Sequence, residues 1–166
     1  MDKTWFAIYV KSRTEKKVSA ELDRLGIDHY LPLIKVLKQW SDRKKWVVEP
    51  LFKGYVFVQI DPTQYYDVLK ANNVVRYITF EGKAVVVPPQ QIHAIKLYLE
   101  ESAPTEDFSN AQWEKGQSVE VISGNMTGLI GELVEVKKKH KVRIKIEAVN
   151  QIIFIQIPKT KLRVIS

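Results

Sequence analysis

The residues best placed to do chemistry in this chain are cations. Lys11, Arg13, Lys16 and Lys17 crowd into one short stretch, and Arg43, Lys44 and Lys45 follow one another between Trp40 and Trp46. Cationic groups interleaved with indoles suit a nucleic acid, whose phosphates pair with the charges while its bases stack on the rings. A solvated charged face accounts for the first group equally well, and a cross-strand pairing of Trp40 with Trp46 on an exposed hairpin accounts for the tryptophans. The chain as a whole leans the same way. Its 166 residues include 26 Lys or Arg against 19 Asp or Glu, a net charge of +7, which favours a polyanionic partner or an acidic protein face.

Catalytic constellations are missing. There is no Cys, and His29, His93 and His140 fall in separate elements without the spacing of a helical metal pair. The loop SGNMTG lacks the GxxxxGK[ST] signature that cradles phosphates, and no GxSxG nucleophile turn occurs. The adjacent carboxylates Glu100-Glu101 and Glu106-Asp107 stand in a polar segment where solvation is the default. The chain is expected to be no enzyme, to hold no metal and to need no cofactor. The absence of Cys agrees with a reducing cytoplasm, the N-terminal MDKTWFAIYV has no cleavable signal pattern, and no apolar run approaches the ~20 residues that span a bilayer, so a cytoplasmic protein without membrane contact is expected.

The elements that must position these cations follow from periodicity. Thr4 to Val10 is apolar on both faces of a strand, and Leu51 to Pro62 (LFKGYVFVQIDP) is a second such strand, expected at the centre of a sheet. Between them, Ser12 and Glu15 have capping-box spacing, and a helix is predicted with Val18, Leu22 and Leu25 inward and Gly26 as its stop. His29 to Trp40 and Trp46 to Val48 pair as a long hairpin with the basic tip at its turn. Asp61, Pro62 and Gln64 then cap a short helix that buries Tyr65, Val68 and Leu69. Val74 to Phe80 and Ala84 to Val87 form a hairpin around Glu81-Gly82-Lys83, and Pro88-Pro89 opens a helix with Ile92, Ile95 and Leu99 on one stripe. This order contains the split βαββαβ plan of a ferredoxin-like domain with an added helix.

After Glu101 the composition changes. Residues 102–112 are polar and aperiodic and read as a linker between a domain of residues 1–101 and one of residues 113–166. The second domain is expected as five short strands, Ser118 to Ile122, Leu129 to Val136, Val142 to Glu147, Ile152 to Ile157 and Leu162 to Ile165, closing as a small β-barrel. Glycines 124, 128 and 131 allow tight turning between the first two.

Two strings carry a family resemblance. EPLFKGYVFVQIDP is similar to the mid-sheet strand of NusG-type transcription factors, with Lys53 in place of that family's Pro, and GQSVEVISGNMTGLIGELVEV resembles the KOW motif that opens the second domain of the same proteins. The resemblance runs from Trp5 to Ile165. It implies an α+β protein: a ferredoxin-like α/β sandwich, the NGN domain, followed by an SH3-like β-barrel, the KOW domain. It further implies a monomeric elongation and antitermination factor that holds the clamp coiled coil of RNA polymerase in an apolar depression, suppresses pausing or termination, and touches nontemplate DNA or nascent RNA. Tyr9, Phe52, Tyr55 and Phe57 match the positions that line the depression. The two basic clusters are the expected nucleic-acid contacts.

The departures bear on the subtype. Housekeeping members place aromatics in the turn that reads GNMTGLIG here, where Met126 and Leu129 stand instead, and a later binding loop corresponds to EAVNQIIFIQIP. The contacts of the KOW domain with termination factor Rho and a ribosomal protein therefore do not carry over residue by residue. The first string is nearer to specialised, operon-restricted paralogues of the RfaH type, although their HTT patch corresponds to Tyr65-Tyr66-Asp67. An operon-specialised paralogue is the leading expectation, a housekeeping NusG the second, and a KOW-type protein acting on RNA or ribosomes without polymerase the alternative from another class. RfaH-type second domains can refold into helices. The β-branched run from Val142 to Ile157 argues for strands here, because such side chains lose χ1 freedom in a helix.

Overall fold

The computed structural model describes residues 2–101, 116–135 and 139–165. Its chain divides into two compact units, Met1–Val87 and Pro88–Ser166. In the first, the N-terminal strand with two apolar faces is β1 (Thr4–Val10), followed by α1 (Glu15–Arg24), β2 (Asp28–Tyr30), β3 (Leu33–Gln39) and β4 (Lys44–Pro50). Next come β5 (Tyr55–Ile60), α2 (Tyr65–Lys70), β6 (Val74–Tyr77), β7 (Thr79–Phe80), β8 (Lys83–Ala84) and β9 (Val86–Val87). The main sheet runs β2-β5-β1-β6, with β9 also on β1, so both strands with two apolar faces are interior. Their pairing is antiparallel and runs from Thr4 opposite Ile60 to Tyr9 opposite Tyr55.

One face of that sheet builds the core. Ile8 and Val10 of β1 and Val56, Val58 and Ile60 of β5 pack with Val18 and Leu22 of α1 and Val68 of α2. The alternation that buries those β5 residues sends Tyr55, Phe57 and Gln59 to the opposite face. The strand proper begins only at Tyr55, because Leu51 to Gly54 is spent on turns.

The helix starts differ from expectation in an instructive way. Asp61 and Gln64 do form the capping box, the Asp61 carboxylate accepting the Thr63 N–H at 2.8 Å and Gln64 Oε1 accepting the Asp61 N–H at 3.2 Å. Ser12 and Glu15 do not. The α1 helix begins at Glu15 after Thr14, whose hydroxyl donates back to the Lys11 carbonyl at 2.6 Å, and Glu15 turns inward. Leu25, expected in the core, is exposed because the helix has already ended at Arg24.

Strands β3 and β4 form a ribbon of their own, from Leu33 opposite Pro50 to Gln39 opposite Lys44. This register sets Trp46 against Leu37 and leaves Trp40 beyond the ladder. The expected cross-strand tryptophan pair is therefore absent among the described residues, and Lys35 instead lies over the Trp46 ring at 5.8 Å.

The second unit contains α3 (Pro89–Glu101), β10 (Ser118–Val121), β11 (Ile130–Glu135), β12 (Lys139–Ile146), β13 (Gln151–Pro158) and β14 (Leu162–Val164). The strands pair in the order β13-β12-β11-β10-β14, close to the bounds expected from sequence. Val142, Ile144 and Ile146 alternate inward on β12, and Ile153, Ile155 and Ile157 do so on β13. The stretch rich in β-branched residues is thus two paired strands. The unit begins before α3, ahead of the Glu101 boundary expected from composition, because α3 lies against β13: Glu101 Oε2 accepts the Gln156 N–H and Gln90 Nε2 donates to the Thr127 carbonyl, both at 3.1 Å. The expected linker, residues 102–112, lies outside the described residues.

Candidate functional site

The four aromatic residues expected to form one binding depression separate into two pairs. Tyr9 is 38% exposed and Tyr55 is half-buried, whereas Phe52 and Phe57 are 5% and 0% exposed. Phe57 sits inside the sheet between Ala7 and Tyr30, and the Phe52 ring meets it edge-on at 6.2 Å. As placed, Phe52 and Phe57 are buried and offer no surface, Phe57 being a covered neighbour of Tyr55 on the same face of the sheet. The expectation put these two in the lining of the depression, whereas here they are packed in the interior.

Tyr9 and Tyr55 form the accessible part. They are direct cross-strand partners with ring centroids 5.8 Å apart at 71°. On the other side of Tyr9, β6 brings Arg76 into register, its guanidinium 5.6 Å from the Tyr9 ring centre. A row Tyr55, Tyr9, Arg76 thus crosses three strands at one end of the sheet. Aromatic faces with a hydroxyl at the tip and an adjoining guanidinium make the kind of surface that anchors a protein partner. Arg76 is not legible from the sequence, since its relation to Tyr9 depends on the β1–β6 register and the irregularity after Tyr9.

The tight turn before Tyr55 shapes this row. Gly54 has φ of +89°, and a Cβ there would stand 3.2 Å from the Tyr9 ring. Its carbonyl accepts the Val10 N–H at 2.8 Å, and its own N–H donates to Glu15 Oε2 at 3.1 Å.

Of the first basic cluster, Lys11, Arg13 and Lys17 are exposed cations around the entrance of α1. Lys16 differs: its ammonium donates to the Val48 carbonyl of β4 at 2.7 Å, tying the helix to the base of the ribbon. Lys16 also belongs, with Lys38 and Lys53, to the cations around Glu49. Its carboxyl is held below the usual range chiefly by the bond from Lys38 at 2.9 Å. Arg43, Lys44 and Lys45 are exposed at the far tip. Five residues of extended chain separate Val48 from Arg43, about 17 Å. The structure therefore places the two clusters at opposite ends of one ribbon and does not merge them. Between them, Leu33, Leu37, Trp46 and Val48 form an exposed apolar strip on one face, with Lys35 and Lys44 in the same face. Strips of this kind mark contact surfaces.

Among the described residues, no cluster of His, Cys, Asp or Glu could hold a metal ion, and no helix is long and apolar enough to cross a membrane. The ring of His29 is held by its own neighbours. Its Nδ1 faces the Ile27 carbonyl at 3.0 Å, which can only accept, and Nε2 lies 2.7 Å from the Ser19 hydroxyl.

The chain is similar to known proteins. The family model described as transcription termination factor nusG matches residues 3–96, which cover β1 through most of α3. The transcription termination/antitermination protein NusG of Bacillus subtilis is 28% identical over 156 residues, spanning 86% of this chain and 88% of its own. Among solved structures, one described as domain interaction in Thermotoga maritima NusG aligns over 99% of this chain and 98% of its own with a TM-score of 0.51 at 20% identity, a likeness of fold.

Proposed function

We propose that this chain, which belongs to the NusG family of transcription factors, binds RNA polymerase through the Tyr9–Tyr55 end of its first sheet and suppresses pausing or termination during elongation. The observation that carries the reading is the row Tyr55, Tyr9, Arg76, an accessible aromatic pair on interior strands with a cation beside it. An exposed ring pair stiffened by its neighbours loses little entropy on docking, which is what an interface anchor requires. The clamp coiled coil is the proposed partner at this face. The first unit's strand order, with helices following its first and third main-sheet strands, supports a ferredoxin-like NGN domain. The five-stranded second sheet supports an SH3-like KOW domain.

Nontemplate DNA or nascent RNA is the proposed ligand of Lys11, Arg13 and Lys17 at one end of the ribbon and of Arg43, Lys44 and Lys45 at the other. Exposed Trp40 and Trp46 offer stacking faces between the phosphate-binding groups. Within the family, an operon-specialised paralogue is preferred over a housekeeping one. The support is the GNMTGLIG turn, where Leu129 is buried and Met126 half-buried, so no aromatic is offered at those positions to Rho or to a ribosomal protein.

One observation favours an RNA-binding protein that acts without polymerase. All outward positions of β12 are basic: Lys139, Lys141, Arg143 and Lys145. Against it, Glu132 and Glu147 stand 3.9 and 3.6 Å from Arg143 and Lys145 and offset part of that charge. Retention on bacterial core RNA polymerase after nuclease treatment separates the two readings. The polymerase reading predicts that the protein stays bound, and the RNA reading that it washes away.

A further inference from the structure

We infer that Glu15 is a positioning residue for the Tyr9–Tyr55 pair, acting through the backbone of Gly54. The inference rests on the polymerase-docking reading for its consequence in binding, but not for its geometry.

Glu15 is a carboxylate with no evident reason to be buried. It occupies the first turn of α1, where an exposed acid would already gain from the helix dipole, yet it is 4% exposed. Drawing a carboxylate out of water is costly unless hydrogen bonds replace the lost hydration. The hydrogen bond found runs to a residue distant in sequence, the Gly54 N–H at 3.1 Å. That amide belongs to a turn outside the sheet ladder, so no neighbouring strand is available to satisfy it.

Gly54 is where three constraints converge. Its carbonyl holds the Val10 N–H of β1, its N–H is held by Glu15, and its bare α-carbon lies under the Tyr9 ring. Tyr55 follows directly, its backbone joined to Gly54 through the peptide whose carbonyl holds Val10. Without the Glu15 acceptor, the Gly54 amide is left buried and unsatisfied. The cheapest relief is rotation of that peptide toward water, which a glycine at positive φ permits. Such a rotation changes φ at Gly54, shifts the α-carbon beneath the Tyr9 ring, and through that α-carbon carries over to the start of β5 at Tyr55. Glu15 thus fixes the separation and tilt of the ring pair from the far side of the turn, without itself touching a partner. A role in fold stability alone would leave the geometry of the pair, in any variant that folds, indifferent to whether an acceptor at position 15 reaches Gly54.

The test uses the full chain in three variants. Glu15→Gln keeps an acceptor oxygen at the same reach, Glu15→Asp keeps the charge but falls short of Gly54, and Glu15→Ala removes both. Ring-to-ring nuclear Overhauser effects between Tyr9 and Tyr55 report the geometry, and titration against bacterial core RNA polymerase reports its consequence. We expect the ring-to-ring effects to vanish in the Ala and Asp variants and polymerase binding to weaken about ten-fold, while Gln retains both. Should Ala fail to fold, Asp decides. Ring-to-ring effects that persist in a folded Ala or Asp variant would overturn the inference, as would their disappearance in Gln. If they vanish in Ala and Asp while polymerase affinity stays unchanged, the positioning role stands and the docking reading is contradicted, so the two fail separately.

Discussion

Tyr9 and Tyr55 face one another across the β1–β5 ladder with their rings edge to face at 5.8 Å, and they do so at the end of the two strands that the rest of the first sheet surrounds. The arrangement couples the proposed binding surface to the two interior strands of the sheet. Phe52 and Phe57 are buried next to it as packing and Arg76 lies beside it as charge. Changes in this region should therefore separate cleanly into those that alter the surface and those that alter the core.

Tyr77 is a core test. Its hydroxyl donates to the Tyr65 carbonyl at 2.8 Å, and its ring stacks on Tyr65 at 4.2 Å. Tyr77→Phe should cost about 1 kcal/mol at neutral pH, read from urea denaturation, because it removes the hydroxyl's hydrogen bond to that carbonyl from a part-buried site. Burial, with smaller contributions from Tyr65 and Asp67, pushes the Tyr77 hydroxyl well above the ordinary tyrosine range. Above about pH 10 the unfolded chain then binds fewer protons than the native one, so stability falls as pH rises. The wild type should lose stability above about pH 10 more steeply than the Phe variant; equal slopes would contradict this account.

In the second unit the corresponding test is Gly131. A Cβ there would stand 2.5 Å from Ile144 Cδ1, 2.6 Å from Val142 Cγ1 and 2.7 Å from the Arg143 carbonyl. Because one of these is backbone, rotamer changes alone cannot make room. Gly131→Ala should destabilise the β11–β12 pairing by about 1–3 kcal/mol, measured as faster amide hydrogen exchange at Val142 and Ile144, with exchange in β1 and β5 unchanged.

Particular residues show what can be read in advance. The strands of the second unit are legible because a run such as KHKVRIKI alternates at period two and leaves one register that buries its apolar set. The Asp61 cap is legible because its parts lie within one turn. The Ser12 spacing misleads because Glu15 has a better use 39 residues away, in a hydrogen bond no local pattern discloses. Phe52 and Phe57 enter the expected depression only through the family resemblance; the apolar character of both faces of their strand already pointed to burial. Arg76 and the apolar strip on the ribbon need the strand register before they have meaning.

The basic clusters make a quantitative prediction. Replacing Lys11, Arg13 and Lys17 together by Ala should flatten the dependence of log K on log salt for single-stranded DNA or RNA by roughly 0.7 for each phosphate no longer neutralised. Replacing Arg43, Lys44 and Lys45 should do so independently, since the clusters occupy opposite ends of the ribbon. Lys16→Ala should act chiefly on ribbon mobility, because its ammonium already serves the Val48 carbonyl. Unchanged slopes in both triple variants would remove nucleic acid from the account of these residues.

The central claim is that the Tyr9–Tyr55 end of the sheet docks on RNA polymerase, and the most direct measurement is the affinity of full-length Tyr55→Ala for bacterial core enzyme, compared with the unaltered chain. Truncating an accessible ring at the centre of an interface typically costs about 1–2 kcal/mol or more, so binding should weaken about five- to thirty-fold, with the far-UV circular dichroism and urea midpoint little changed. A folded Tyr55→Ala protein that binds polymerase as tightly as the unaltered chain would contradict the claim.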